Sequence, residues 1–173
     1  MQTVSLFALS RMENFEDLAQ RTDDAGFRLE RIGGVSTWEP WPSLRHQRAI
    51  DRIRQSFVTR EGQTCACVHY SDLHIKFPDG SDKRPDVSIF CARPSETDTA
   101  VTTVPEAVVE IISRGYEKKD LELGPPFYLE QGVKDIFVFD PYTEMIHHFT
   151  TSGEQTHQSP FTAVLQCGCQ ITI

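Results

Sequence analysis

Polar and apolar positions change period several times along this chain, and each change marks an element. From Asn14 to Ala25, Phe15, Leu18 and Ala19 recur at helical spacing with acidic residues near the start, and Gly26 supplies a stop, which predicts a short helix. The period then drops to two. Phe27–Ile32 and Val35–Trp38 alternate around Gly33-Gly34, the composition of a tight two-residue hairpin turn. Ser43 is placed to cap a helix over Leu44–Phe57, with Ile50, Ile53 and Phe57 on one side and Arg45, Arg48 and Arg52 on another.

Strand-like runs follow at Cys65–Tyr70, Leu73–Phe77, Asp86–Cys91 and Ala107–Ile112, separated by the turn-rich Pro78-Asp79-Gly80-Ser81-Asp82 and a polar stretch from Arg93 to Thr103. Pro125 and Pro126 open a helix carrying Phe127, Tyr128 and Leu129, which Gly132 ends. Ile136–Phe139 reads as another strand, and a hairpin completes the chain. With no internal repeat, linker or low-complexity tract, residues 1–173 are expected to form a single α/β or α+β domain.

A chain of 173 residues that is 39% hydrophobic and 24% charged can build a substantial core, which excludes a disordered protein. The net charge of -8 argues against a generally basic nucleic-acid binder, so any contact with phosphates must be local. The face formed by Arg45, Arg48 and Arg52 is the local basic candidate, although a solvated helix surface explains the same pattern. No apolar stretch is long enough for a membrane span, and the start Met1–Phe7 lacks a basic signal-peptide region, so a cytoplasmic protein without membrane contact is expected.

In that setting the odd set Cys65, Cys67, Cys91, Cys167 and Cys169 is expected to be reduced thiols packed as small apolar residues. Zinc is the rival for Cys65-Ala66-Cys67 and Cys167-Gly168-Cys169, but structural zinc pairs usually have wider spacing, and strand alternation would turn both cysteines of a pair into the core. His147-His148 is a weak metal pair, since adjacent strand residues face opposite ways.

The chemically informative residue is Glu110, inside the apolar run Ala107-Val108-Val109-Glu110-Ile111-Ile112. Burying an ionised carboxylate costs several kcal/mol unless it is paired, protonated or bound to a cation. A structural salt bridge to Arg84 or Arg114 would compensate it. So would a two-carboxylate cation site shared with Asp86 of Arg84-Pro85-Asp86-Val87, the arrangement that metal-dependent phosphodiester cleavage requires. Asp86 alone also suits a strand start.

Taken in order, Leu29-Glu30-Arg31-Ile32-Gly33-Gly34 with His46 downstream, Arg84-Pro85-Asp86-Val87, Val108-Val109-Glu110-Ile111-Ile112-Ser113, and Tyr128 followed by Gly132–Pro141 resemble the Uma-two family of restriction endonucleases, within the PD-(D/E)XK nuclease superfamily. The resemblance implies a restriction-endonuclease-like core, a mixed central sheet flanked by helices, with an N-terminal helix and hairpin added. It also implies Asp86 and Glu110 as ligands of Mg²⁺ or Mn²⁺, Glu30 as a further acidic participant, and DNA as substrate. Two positions depart from the family pattern: Ile112 and Gly124 stand where lysines are usual. Lys119, and after it Lys118, are therefore the candidates for the assisting ammonium.

The function expected is a metal-dependent endonuclease that hydrolyses DNA phosphodiester bonds with an activated water. The alternative is a noncatalytic binding or assembly protein that kept the nuclease fold after losing its lysine. Trp38 and Trp41 are the apolar residues on which a homodimer would be built.

Overall fold

The computed structural model describes residues 15–59, 62–115 and 117–173. Asn14 and the expected N-terminal start lie outside them. Helix α1 spans Phe15–Asp24, and the predicted hairpin forms as β1 (Phe27–Ile32) and β2 (Val35–Pro40). Its turn residues Gly33 and Gly34 have φ of 53° and 82°, left-handed values that a two-residue hairpin turn demands and glycine adopts at no steric cost. Helix α2 (Leu44–Gln55) starts where Ser43 accepts a hydrogen bond from the His46 N–H, and ends earlier than predicted, so Phe57 lies beyond it.

Four short strands come next: β3 (Val68–Tyr70), β4 (Ile75–Lys76), β5 (Asp82–Lys83) and β6 (Val87–Phe90). The strand expected from Cys65 begins only at Val68, because Cys65–Cys67 follow an irregular path in which Cys67 has φ of 52°. Strand β5 was hidden in the charged stretch after the predicted turn. Strand β7 (Ala107–Ile111) is followed by a π-helical turn (Lys119–Leu123), α3 (Gly124–Glu130) and β8 (Asp135–Asp140). The C-terminal part is two hairpins, β9 (Met145–Thr150) with β10 (Gly153–Gln158), and β11 (Thr162–Val164) with β12 (Gln170–Thr172).

The central sheet has six strands in the order β10-β9-β8-β7-β6-β3. It is mixed: β7 and β8 run parallel, joined by α3, and the other neighbours are antiparallel. Ala49, Ile50 and Ile53 of α2 pack with Val87, Val109 and Phe139 on one face, while Phe127 and Tyr128 of α3 pack with Val108, Ile136 and Val138 on the other. A four-stranded sheet, β2-β1-β5-β4, lies beside this core and brings the hairpin's charged residues to its edge.

The cysteines correct the expectation of separate thiols. Cys65 pairs with Cys91 and Cys67 with Cys169 as disulfides, and Cys167 keeps its thiol. Cys167-Gly168-Cys169 forms the turn between β11 and β12 rather than part of a strand. His147 and His148 do diverge, to Glu154 at 2.7 Å and Asp135 at 2.9 Å. Trp41 is 72% exposed, the side chain of Trp38 lies outside the described residues, and among the described residues no helix is long and apolar enough to cross a membrane.

Candidate active site

All five residues of β7 are buried because the strand lies between β6 and β8 and is covered on both faces. Alternation turns Val109 and Ile111 toward α2, and Val108 and Glu110 toward α3. On β6, Val87 stands opposite Val109; one further step of that antiparallel register sets Asp86 opposite Glu110, on the same face. The Asp86 N–H donates to Glu110 Oε2 at 3.1 Å, and Asp86 Oδ2 accepts from the Ile111 N–H at 2.8 Å. Their burial is nearly complete, with Asp86 6% and Glu110 5% exposed.

The smaller sheet and the π-helical turn supply ammonium groups. Strand β5 pairs with β1 through Arg31 and Asp82, so the next step sets Glu30 opposite Lys83. Lys83 Nζ donates to Glu30 Oε2 at 3.0 Å and lies 3.5 Å from Glu110 Oε1. Lys119 Nζ reaches the same Glu30 Oε2 at 3.0 Å and lies 3.5 Å from Asp120 Oδ1. The wide turn that carries Lys119 closes with a bond from the Gly124 N–H to the Lys119 carbonyl. Pro125 and Pro126 have no N–H to return to the preceding turn, so widening it there forfeits no α-helical bond from them.

Neighbouring groups complete the constellation. The Tyr128 hydroxyl donates to Glu110 Oε1, and the Arg84 N–H donates to Glu30 Oε1 at 3.0 Å. His46 Nε2 lies 3.0 Å and Arg28 Nη1 4.0 Å from the Asp86 carboxylate. Burial pushes the Glu110 carboxyl above its ordinary range despite the nearby Lys83 ammonium, and Asp86 adds to the rise. Burial acts in the same direction on Glu30, but the Lys119 and Lys83 ammoniums outweigh it and hold that carboxyl well below the usual range. Tyr128 is raised well above the usual phenol value by burial and by Glu110.

Glu30 is buried at 2% exposed, and two ammoniums and a backbone amide bond its oxygens. Lys119 is buried in the cluster, whereas Lys118 beside it is exposed. The ion partner of Glu110 is Lys83, since Arg84 pairs with Asp23 and Asp72, and Arg114 stacks over Tyr142.

Sequence reading missed Lys83 altogether. Its signal was local: a lysine two residues before Pro85-Asp86, in a stretch that alternates too briefly to register as a strand.

The donor chemistry fits a hard divalent cation. Buried Glu30, Asp86, Glu110 and Asp120 face buried Lys83 and Lys119, so when all are ionised four carboxylates against two ammoniums leave two negative charges, before Arg28 at the rim is counted. Among the described residues, no third carboxylate or imidazole joins Asp86 and Glu110 with all donor atoms within 4.8 Å. That donor set suits Mg²⁺, which keeps several waters and takes one or two carboxylates.

Arg45, Arg48 and Arg52 are exposed on α2, beside a cavity of about 530 Å³ bordered by Phe139, Pro141 and Glu144. At 100° per residue they lie roughly 100–160° around the helix from His46, so the basic stripe and the carboxylate site occupy different sides of α2.

The six-stranded mixed sheet, its parallel β7–α3–β8 crossover and the helices on both faces define a nuclease-type fold. Residues 12–167 match the Uma2 family, described as "Putative restriction endonuclease", and the chain belongs to that family. The fold is shared with a crystal structure from Anabaena variabilis ATCC 29413, titled a putative nuclease belonging to DUF820. The TM-score is 0.64 at 18% sequence identity, over 82% of this chain and 83% of that one. No curated protein matches the sequence.

Proposed function

We propose that the protein is a metal-dependent endonuclease that hydrolyses DNA phosphodiester bonds, with Asp86 and Glu110 holding the cation. The observation that carries this reading is the register that sets Asp86 opposite Glu110, with Lys83 and Lys119 converging from another sheet and a helical turn. Mg²⁺ or Mn²⁺ bound there would neutralise charge on the scissile phosphate and acidify a water.

The chain's own groups do the rest. Glu30 anchors both ammoniums; Lys119, at the edge of the buried cluster, supplies positive charge toward the phosphate, and Lys83 fixes the Glu110 carboxylate. Tyr128 and the Asp86 amide orient Glu110, while His46 and the Ile111 amide orient Asp86. Arg45, Arg48 and Arg52 take DNA backbone phosphates along the outer side of α2.

The decisive experiment is plasmid nicking by purified protein with Mg²⁺ or Mn²⁺, with and without chelator, alongside Asp86→Ala. Cleavage that needs the cation and disappears in the variant is expected. Cleavage unchanged in Asp86→Ala defeats the assignment.

A second reading, a noncatalytic binding protein on the nuclease fold, is favoured by the near-complete burial of Asp86 and Glu110 and by their ready-made internal partners. Absence of specific Mn²⁺ uptake, together with no cleavage of any DNA form, would select it.

A further inference from the structure

All five cysteines of the chain gather at one place, drawn from three separate parts of the sequence. Cys65 and Cys67 precede β3, Cys91 follows β6, and Cys167 and Cys169 form the β11–β12 turn. The Sγ atoms of Cys65, Cys67 and Cys169 lie within 4.8 Å of one another, as do those of Cys65, Cys91 and Cys167. Cys65 belongs to both groups. Its Sγ is 3.5 Å from that of Cys169, so the two disulfides lie side by side in one pocket.

We propose that, when the disulfides are reduced, the thiolates of Cys65, Cys67 and Cys169, joined by Cys91 from beside Cys65, form a site for one zinc ion. Tetrahedral zinc places each sulfur about 2.3 Å from the metal and so roughly 3.8 Å from its neighbours; the Cys65, Cys67 and Cys169 sulfurs lie within 4.8 Å of one another, and that of Cys91 within the same distance of Cys65. Four sulfurs with no carboxylate among them are soft donors, which select zinc over magnesium or calcium. Each ligating thiol gives up its proton to solvent as the metal binds.

Local backbone supports a built site. Cys67 holds φ of 52°, unusual for a residue with a side chain, and Gly168 at 94° lets the hairpin turn tightly between Cys167 and Cys169. The Ala66 N–H donates to the Cys91 carbonyl at 2.8 Å, locking the first two segments together. Cys65, Cys67 and Cys169 are 4%, 6% and 0% exposed, as a closed structural site requires, and the half-buried Cys91 side provides entry. A metal here would clasp the β11–β12 hairpin to the edge of the central sheet. The narrow spacing within each pair, which argued against zinc in the sequence, matters less once a third segment joins them.

The test uses the full chain, reduced with a phosphine, freed of metal and titrated with Zn²⁺ or Co²⁺ in the absence of Mg²⁺. Uptake of about one equivalent is expected, with thiolate-to-cobalt charge-transfer absorption and the d–d bands of tetrahedral cobalt. Cys167→Ser is expected to bind like the parent, and Cys65→Ser to lose the tetrahedral spectrum. Should Cys65→Ser fail to fold, the parent's cobalt spectrum decides. A fully reduced parent that takes up neither metal, or whose cobalt spectrum lacks sulfur ligation, overturns the proposal. Unchanged binding by folded Cys65→Ser also overturns it. Nuclease activity is not a readout, so failure here leaves the Asp86 and Glu110 assignment standing.

Discussion

Asp86 and Glu110 steady each other across neighbouring strands: the Asp86 amide donates to Glu110 Oε2, and the amide directly after Glu110 donates to Asp86 Oδ2. Asp86→Ala or Glu110→Ala removes a proposed cation ligand together with one of these fixings. Mn²⁺ affinity and cation-dependent nicking are each expected to fall by more than about 100-fold, measured by calorimetry and by plasmid conversion.

Lys83 is 1% exposed between Glu30 and Glu110, so truncating it strands carboxylates in the interior. Lys83→Met should destabilise the fold by about 3–5 kcal/mol in urea titration. Lys119→Met should cost less, because its side chain is 10% exposed and Lys83 still serves Glu30. Its larger effect is expected on nicking rate, and equal losses of stability with no rate effect from Lys119→Met would remove Lys119 from the mechanism.

Tyr128 is fully buried, and its hydroxyl serves Glu110. Tyr128→Phe keeps the ring packing against Phe77 and Phe127 and leaves a Glu110 oxygen short of a donor. A loss of about 1–3 kcal/mol is expected from denaturant unfolding.

The depressed Glu30 carboxyl sets a direction for acid sensitivity. Its pKa is lower folded than unfolded, so the stability it contributes is complete above its unfolded value and is lost as pH falls toward the folded one. Glu110, raised on folding, acts oppositely in the adjoining range, because its folded form takes up a proton first. The difference between parent and Glu30→Gln isolates Glu30: melting temperature against pH, from about 5 down to about 3, should fall more steeply in the parent.

If the α2 stripe holds DNA phosphates, each arginine removed should lower the slope of log affinity against log salt by about one. Arg48→Ala is the cleanest variant, since Arg45 also bonds the Pro141 carbonyl and Arg52 also lies over the Phe139 ring. Filter binding across a salt series with a catalytically disabled variant checks this, and unchanged slopes would move DNA away from α2.

Much of the architecture was legible because it is local. Gly33-Gly34 announced its hairpin, Ser43 its helix, and the apolar run around Ile136 its strand, each through spacing or a special backbone requirement. Glu110 was legible for the opposite reason: a carboxylate in a buried strand violates the local pattern and asks for a partner. That partner was not legible. Lys83 lies in a two-residue strand, and its meeting with Glu30 depends on pairing across 53 positions of sequence.

The sequence by itself determined the helices, the main strands, the acidic pair and the absence of lysine at Ile112 and Gly124, since composition and periodicity act over a few residues. Only the tertiary structure decided that Glu30 meets Lys83 and Lys119, that Lys119 turns inward while Lys118 does not, and that all five cysteines meet. The reason is physical: strand register and sheet order set which charges and sulfurs share a low-dielectric interior, and both are properties of long-range packing.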